Sequence, residues 1–245
     1  MHAIEIIEKI KNIANIDEFR DSVGNFLSVC GFETWVYTVK LPDSYNEGSF
    51  ETVHNWNQEF VDRYVSMHVT HCPRFKHLWH SPTPLIYDRE FIDQDMKLLP
   101  YQPKRVKAVI EDIIDFGYLG HGFSLVTHGK HGDKGVLTLQ NRDQRQDGLD
   151  AIRLSLHVAN AFFPFMHMKY IELRGWRPPG GVFELTQREK ECLRWAADGK
   201  TSWETGLILK ISERTVIFHI TNAQRKLMAS NKIQAVARAI LYNMI

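Results

Sequence analysis

Cysteine is scarce and scattered: Cys30, Cys72 and Cys192 are odd in number, far apart and free of any CxxC spacing. That pattern argues against a disulfide framework and predicts reduced thiols in a cytoplasm. No apolar run approaches the ~20 residues of a membrane-spanning helix, so no membrane association is expected. The opening MHAIEIIEKIKNIANIDEF interleaves charges with apolar residues at helical spacing, unlike a signal peptide. There is no Ser-His-Asp elbow, no HExxH and no GxGxxG, so nothing in the sequence gives positive support to an enzyme. What is present is ordinary globular composition, 44% apolar and 24% charged over 245 residues, enough for one large or two modest domains.

The formal net charge is only +1, yet it is unevenly placed. From Gly181 to Ile245 ten Lys and Arg face six Asp and Glu, whereas the preceding 180 residues carry 20 against 23. A basic C-terminal segment on a slightly acidic body points to an anionic partner at that end. The clearest break is Arg174-Gly-Trp-Arg-Pro-Pro-Gly-Gly181, where two prolines cannot continue a helix and the glycines relax the backbone. The expected organisation is a domain over residues 1–173, a linker over 174–182 and a second domain over 183–245.

The first segment mixes element types. Ile6, Ile7, Ile10, Ile13 and Ala14 recur at helical spacing, and a second helix is predicted from Ile16 to Val29. Residues 32–40, 123–128 and 135–140 are rich in β-branched and aromatic residues and read as strands. The glycine-rich Gly129–Gly135 between the last two reads as a hairpin turn, not a phosphate cradle, since it lacks GxxxxGK[ST] and precedes no helix. Further helices are expected near 58–65 and 104–116. A long one is expected from Asp147 to Leu173, interrupted or kinked near Pro164. Its stripe of Ile152, Leu156, Ala159 and Phe163 is a candidate dimer seam, with core packing as the alternative. Helices around a small antiparallel sheet make an α+β sandwich.

The second segment reads as four helices. Thr186 with Glu189 forms a capping box, Gly199 ends that first helix, and a second runs from about Ser202 to Lys210. Ser212 caps a third, whose Val216, Ile220, Ala223 and Leu227 fall on one face. Its other side shows Ile217, Thr221, Gln224, Arg225 and, to one edge, Arg214. The fourth begins at Lys232. Two short helices joined tightly, the later one presenting polar and basic residues, suit the major groove of DNA. Lys200, Arg214, Arg225 and Lys226 are candidates for phosphates, and Thr221 and Gln224 for base edges. A docking or dimerisation module is the competing reading of the same pattern.

The residues go further than the pattern. Leu185-Thr-Gln-Arg-Glu189, Trp195-Ala-Ala-Asp-Gly-Lys200, Ser212-Glu-Arg-Thr-Val-Ile-Phe-His219, Asn222-Ala, Lys226-Leu227 and Asn231-Lys232 together resemble the DNA-binding domain of the LuxR family of quorum-sensing regulators. The resemblance implies a third helix in the major groove of a palindromic site and a last helix that supports dimer contact. It adds Thr215, Ile217, Phe218 and Asn222 to the expected DNA face. Thr205 stands where a buried Ile is usual, and Ile217 where a Lys is frequent, so target preference does not transfer.

The first segment is similar to that family's autoinducer-binding domains, which are α-β-α sandwiches holding an acyl homoserine lactone beside the sheet. Trp56 and Tyr64 match the usual aromatic motif, while Phe60 replaces a Trp that bonds the lactone carbonyl. Cys72 replaces an Asp that accepts the ligand amide, and Tyr87 replaces another Trp. Ser124 lies in a segment that matches well, and Thr138 sits where a pocket hydroxyl is common. A thiol is a weak acceptor and Phe60 has no N–H, so a lactone should bind less tightly. The expected ligand is a different, less amide-like small molecule held by Trp56, Phe60, Tyr64, Cys72, Tyr87, Ser124 and Thr138. The competing reading makes these aromatics plain core.

His68, His71, Cys72, His77 and His80 cluster, but their spacings are not those of a zinc finger or ribbon, and no metal is expected. Cys192 beside Leu193 reads as a packed hydrophobe. The sequence therefore predicts a cytoplasmic, homodimeric regulator that binds double-stranded DNA and a small-molecule signal, needs no cofactor, and has RNA polymerase as a further candidate partner. A regulator that binds DNA without a ligand is the chief alternative. A small-molecule-binding protein or enzyme with a helical docking domain is the distant one.

Overall fold

The computed structural model describes residues 3–42, 50–69, 71–141, 146–177 and 184–245. They form two compact units, the body of one ending at Gly175 and that of the other beginning at Trp176. Residues 178–182 of the expected linker lie outside the described residues.

The first unit opens with helices α1 (Ala3–Lys11) and α2 (Ile16–Val29), then strands β1 (Thr34–Lys40) and β2 (Phe50–His54). Helix α3 (Gln58–Arg63) runs directly into a π-helical turn (Tyr64–His68), followed by α4 (Pro73–His80), β3 (Leu85–Tyr87), α5 (Arg89–Leu98) and α6 (Lys104–Asp115). Strands β4 (Gly122–His128) and β5 (Lys134–Gln140) and the long helix α7 (Gln146–Arg174) complete it. Local chemistry fixes several starts: the side chains of Asn15, Asn57 and Asp88 accept from backbone N–H groups of the helices they precede.

The five strands form one antiparallel sheet in the order β2-β1-β5-β4-β3. Side chains alternate across it, so β1 and β5 serve two layers at once. On one face Tyr37 meets Phe19 of α2 and Phe163 and Tyr170 of α7, and its hydroxyl lies 2.6 Å from His167 Nδ1. Gly135 leaves room for that histidine, since a Cβ there would come 2.6 Å from Nδ1. On the other face Val136 packs with Phe60, Val61, Phe75, Leu78, Val109 and Ile113 from α3, α4 and α6. This is the α-β-α sandwich expected from the sequence.

Helix α7 corrects two expectations. It continues as one helix of 29 residues through Pro164, so of the expected interruption or kink the interruption does not occur. Proline removes one backbone donor there, but buried Phe162, Phe163, Met166 and Tyr170 anchor both sides of it. Of the expected dimer seam, Ile152, Ala159 and Phe163 are buried within this unit; the exposed apolar stripe is instead Leu154, Phe165 and Met168. Near its end Glu51 of β2 accepts from the Tyr170 hydroxyl at 2.9 Å and from Arg174 at 2.7 and 2.8 Å.

The second unit consists of α8 (Gln187–Ala197), α9 (Ser202–Leu209), α10 (Glu213–Lys226) and α11 (Lys232–Leu241). Reciprocal capping boxes open α8 at Thr186/Glu189 and α9 at Thr201/Glu204, and Ser212 caps α10. Leu185, Leu193, Ala223, Leu227, Ala235, Ala239 and Tyr242 form one core cluster, and Cys192 with Val216 and Ile220 a second. Thr205 is buried, but its hydroxyl donates to the Thr201 carbonyl at 2.8 Å, so the polar atom is satisfied.

The α9–α10 turn is tight. A Cβ on Gly206 would sit 2.8 Å from the Ile211 carbonyl oxygen, and Lys210 closes α9 in the left-handed region at φ 56°. Substitutions on either side of this turn should therefore act in opposite directions. Gly206→Ala should destabilise the second unit by about 1–3 kcal/mol, and Lys210→Gly should stabilise it by about 0.5–1 kcal/mol. Urea-unfolding midpoints of the two variants check both signs.

Candidate functional site

The first candidate site lies within the first unit, on the α3–α6 side of the sheet. A cavity of about 60 Å³ is lined by Val36, Thr38, Thr52, Trp56, Tyr64, Cys72, Arg74, Tyr87, Tyr118, Val136, Thr138 and Gln140, with apolar side chains between them. Trp56, Tyr64, Cys72, Tyr87 and Thr138, all expected at the site, are thus brought to one wall although they span more than eighty positions.

Two expected residues stand elsewhere. Phe60 is fully buried and does not line the cavity; it lies behind the wall, 4.9 Å from the Tyr118 ring, 5.2 Å from Phe116 and 5.8 Å from Tyr64. Ser124 is also outside the lining, yet it carries the polar relay of the site. Its Oγ lies 2.5 Å from the Tyr87 hydroxyl and 2.6 Å from Thr138 Oγ1, its cross-strand partner. The hydroxyls of Tyr87, Ser124 and Thr138 therefore act as one chain from β3 through β4 to β5.

The π-helical turn sets the position of Tyr64. It is tied to α6 by Asp112, whose two carboxylate oxygens meet His68 Nε2 at 2.7 Å and Arg63 Nη2 at 2.9 Å. His68 is thereby engaged by a carboxylate, and His71 Nε2 lies 3.2 Å from Arg105. Burial and the neighbouring Cys72 and Tyr87 push the Tyr64 phenol well above its usual range. Burial also raises Tyr87 to about 12, against the opposing charge of Arg74. Both phenols keep their protons at neutral pH and can donate.

Arg74 is the residue sequence reasoning missed. It sits between Pro73 and Phe75, and its side chain is only 11% exposed. Its guanidinium stacks 4.9 Å from the Tyr87 ring and 5.4 Å from the Phe91 ring, and Nε and Nη2 both donate to Asp95 Oδ2. Its partner is 21 positions away, so local pattern gave no signal that this charge turns inward.

The second candidate site is the outward side of α10. Arg214, Ile217, Phe218, Thr221 and Arg225 are exposed, and Thr215, Asn222 and Gln224 are half-buried along the same helix. Arg225 Nη2 donates to Asn222 at 3.0 Å, and Lys200 lies half-buried at the end of α8. Lys226 differs from the others: it turns inward and donates to the buried Glu189 at 2.8 Å and to the Glu184 carbonyl at 3.2 Å. This ion pair joins the start of α8 to the end of α10. Burial pushes the Glu189 carboxyl up, but the Lys226 ammonium and the Thr186 backbone N–H outweigh it and hold it below its usual value.

Comparison with known proteins covers both units. A model of the autoinducer binding domain matches residues 15–170, and one of the luxR family of bacterial regulatory proteins matches residues 184–239. The transcriptional activator protein VanR of Vibrio anguillarum is 26% identical over 246 residues, spanning 97% of this chain and 95% of VanR. The crystal structure of Escherichia coli SdiA shares the fold, with a TM-score of 0.74 at 21% identity, covering 99% of this chain and 97% of that one. A structure of SdiA in complex with octanoyl-rac-glycerol has a TM-score of 0.66 at 22% identity, covering 98% and 93%.

Two outcomes follow from these contacts. Tyr87→Phe removes the first hydroxyl of the relay, and the loss should be about 1–2 kcal/mol of stability in denaturant titration. Glu189, being depressed in the fold, contributes stability above its ordinary value of 4.5 and loses it as acid protonates the folded carboxyl. Glu189→Gln should therefore lower stability at neutral pH and flatten the acid limb of the stability profile, read by circular dichroism between pH 7 and 3.

Proposed function

Because the chain belongs to the luxR family of bacterial regulatory proteins, with an autoinducer-binding domain ahead of its helix-turn-helix, we propose that it is a cytoplasmic homodimer that reads a palindromic DNA site under the control of a small molecule. That family is one of transcription regulators, not enzymes. The observation that carries the DNA-reading part is α10: its Val216, Ile220 and Ala223 side is locked into the core while Ile217, Phe218, Thr221 and Arg225 stand exposed on the other. The N-terminal residues of such a helix meet base edges, and flanking basic residues meet phosphates. Ile217 and Thr221, one turn apart, are the base-facing pair; an apolar Ile217 favours a thymine methyl group. Arg214, Arg225 and Lys200 supply backbone contacts, while Lys226 acts by holding α10 to α8.

The homodimer reading draws on two apolar stripes: Leu154, Phe165 and Met168 on α7, and Ile233 and Ile240 on α11. A two-fold pair would place two α10 helices on half-sites about one DNA turn apart. No helix among the described residues is long and apolar enough to cross a membrane. VanR's role as a transcriptional activator makes RNA polymerase a further partner to test.

The signal would bind the cavity beside β1 and β5. Cys72 and Phe60 remove groups that suit an acyl homoserine lactone, which favours a different small molecule. A neighbour of the same fold, SdiA, is known in complex with octanoyl-rac-glycerol. The signal shifts DNA binding only by its differential affinity for the competent form. A second reading, DNA binding without a ligand, draws on the cavity's volume of about 60 Å³, below the roughly 300–1,000 Å³ of ordinary ligand pockets.

A duplex selected from a random pool by the full chain provides the test. Arg225→Ala should weaken its binding in gel shifts and reduce the slope of log affinity against log salt by about 1, with the unfolding midpoint unchanged. Failure to retain any duplex would defeat the proposal, and retention unaffected by any small molecule would favour the ligand-independent reading.

A further inference from the structure

The cavity wall is chemically one-sided. Among the described residues seventeen line it, and none of them is Asp or Glu. The strong groups on it are donors: the Arg74 guanidinium, the Trp56 indole N–H and the phenols of Tyr64 and Tyr87. Trp56 Nε1 is buried and has no hydrogen-bond partner among the described residues. A buried donor left unpaired is costly, so an acceptor placed in the cavity gains what that donor lacks. Arg74 has spare capacity as well. Both of its bonds to Asp95 end on the single oxygen Oδ2, from Nε and Nη2, and Nη1 carries none among the described residues. The acceptors on the wall are neutral: the Gln140 amide oxygen, the Thr38 and Thr52 hydroxyls, the relay hydroxyls and the weakly accepting Cys72 thiol.

We propose that the cavity selects an amphiphile whose polar head presents only acceptor oxygens, an ester or a ketone with no N–H, anchored by Arg74 and by the Trp56 indole N–H. This rests on the cavity being the signal site proposed above, and it sharpens that reading from "some small molecule" to a class defined by its head. The physical reason is asymmetry. An oxygen head satisfies donors that the fold leaves open. A secondary amide of the same shape brings one N–H more, and the wall offers that proton no carboxylate. Asp95 already balances the Arg74 charge, so a neutral oxygen head does not leave a cation uncompensated.

The test uses a matched pair of probes: N-octanoyl homoserine lactone and the isostere in which the amide NH is replaced by oxygen, α-octanoyloxy-γ-butyrolactone. Calorimetric titration of the full-length protein should show the oxygen ester binding at least about tenfold more tightly than the amide. Arg74→Met should lower ester affinity by a similar factor. A cooperative urea-unfolding transition of the Arg74→Met protein, with far-ultraviolet circular dichroism like that of the parent, separates loss of the anchor from loss of the fold. Equal or tighter binding of the amide, no heat from the ester, or an Arg74→Met protein that folds and binds the ester normally would each overturn the proposal. Gel shifts on the same preparations separate the two readings. A protein that shifts DNA but ignores the oxygen head keeps the regulator reading and loses this one. A protein that prefers the ester and holds no DNA keeps this one and loses the other.

Discussion

Strands β1 and β5 are buried on both faces, and the first unit is arranged around that constraint. A pleated strand sends alternate side chains to opposite sides, so one run of seven residues must satisfy two chemically different layers. On the α2–α7 side the demand is met by close aromatic packing and the buried Tyr37–His167 contact. The other side of the sheet is lined differently. There Val36, Thr38, Val136 and Thr138 face a wall that is aromatic at one edge and polar at another, with a cavity between them. The hydroxyl chain from Tyr87 to Thr138 then ties the edge strand β3 back to the centre of the sheet, so polar atoms at the site also hold the architecture.

The second unit solves the same problem on a smaller scale. Helix α10 is divided lengthwise, one side buried with α8 and the other exposed, and the buried Glu189–Lys226 pair fixes its far end. Capping boxes at α8 and α9 and the close approach at Gly206 set the angle at which that exposed side is offered. The two units therefore bring different chemistry to one regulator: a cavity lined by aromatic, hydroxyl and guanidinium groups in the first, and a mixed apolar and basic helix face in the second.

Much of this was legible in the sequence, where local signals are strong. The span of α2, the caps of α8 and α10, the three longest strands and the buried stripe of α10 follow from periodicity, capping chemistry and β-branched runs. The readings that failed depended on contacts distant along the chain. Strands β2 and β3 have five and three residues, and their identity comes from pairing with β1 and β4 rather than from their own pattern. Helix α7 carries apolar residues on most of its surface, so the sequence left core packing and a dimer seam as alternatives for one stripe, and the burial of Ile152, Ala159 and Phe163 favours core packing. Phe60 was named for the family motif in which it replaces a Trp; it is buried in the cluster behind Tyr64 and Tyr118, outside the cavity lining. Lys226 read as a phosphate contact, and Arg74 carried no signal at all. Each is drawn inward by a carboxylate, 21 and 37 positions away respectively.

A signal that acts through the cavity makes its occupancy and the engagement of DNA one linked equilibrium. The most direct measurement is a quantitative titration of a selected duplex with the full chain, with and without α-octanoyloxy-γ-butyrolactone, followed by the reciprocal titration of that ester with and without duplex. Linkage requires both affinities to change by the same factor. Matching factors that differ from unity are the predicted result. A factor of one in both directions would contradict the account, since the cavity and the helix-turn-helix would then act without reference to each other.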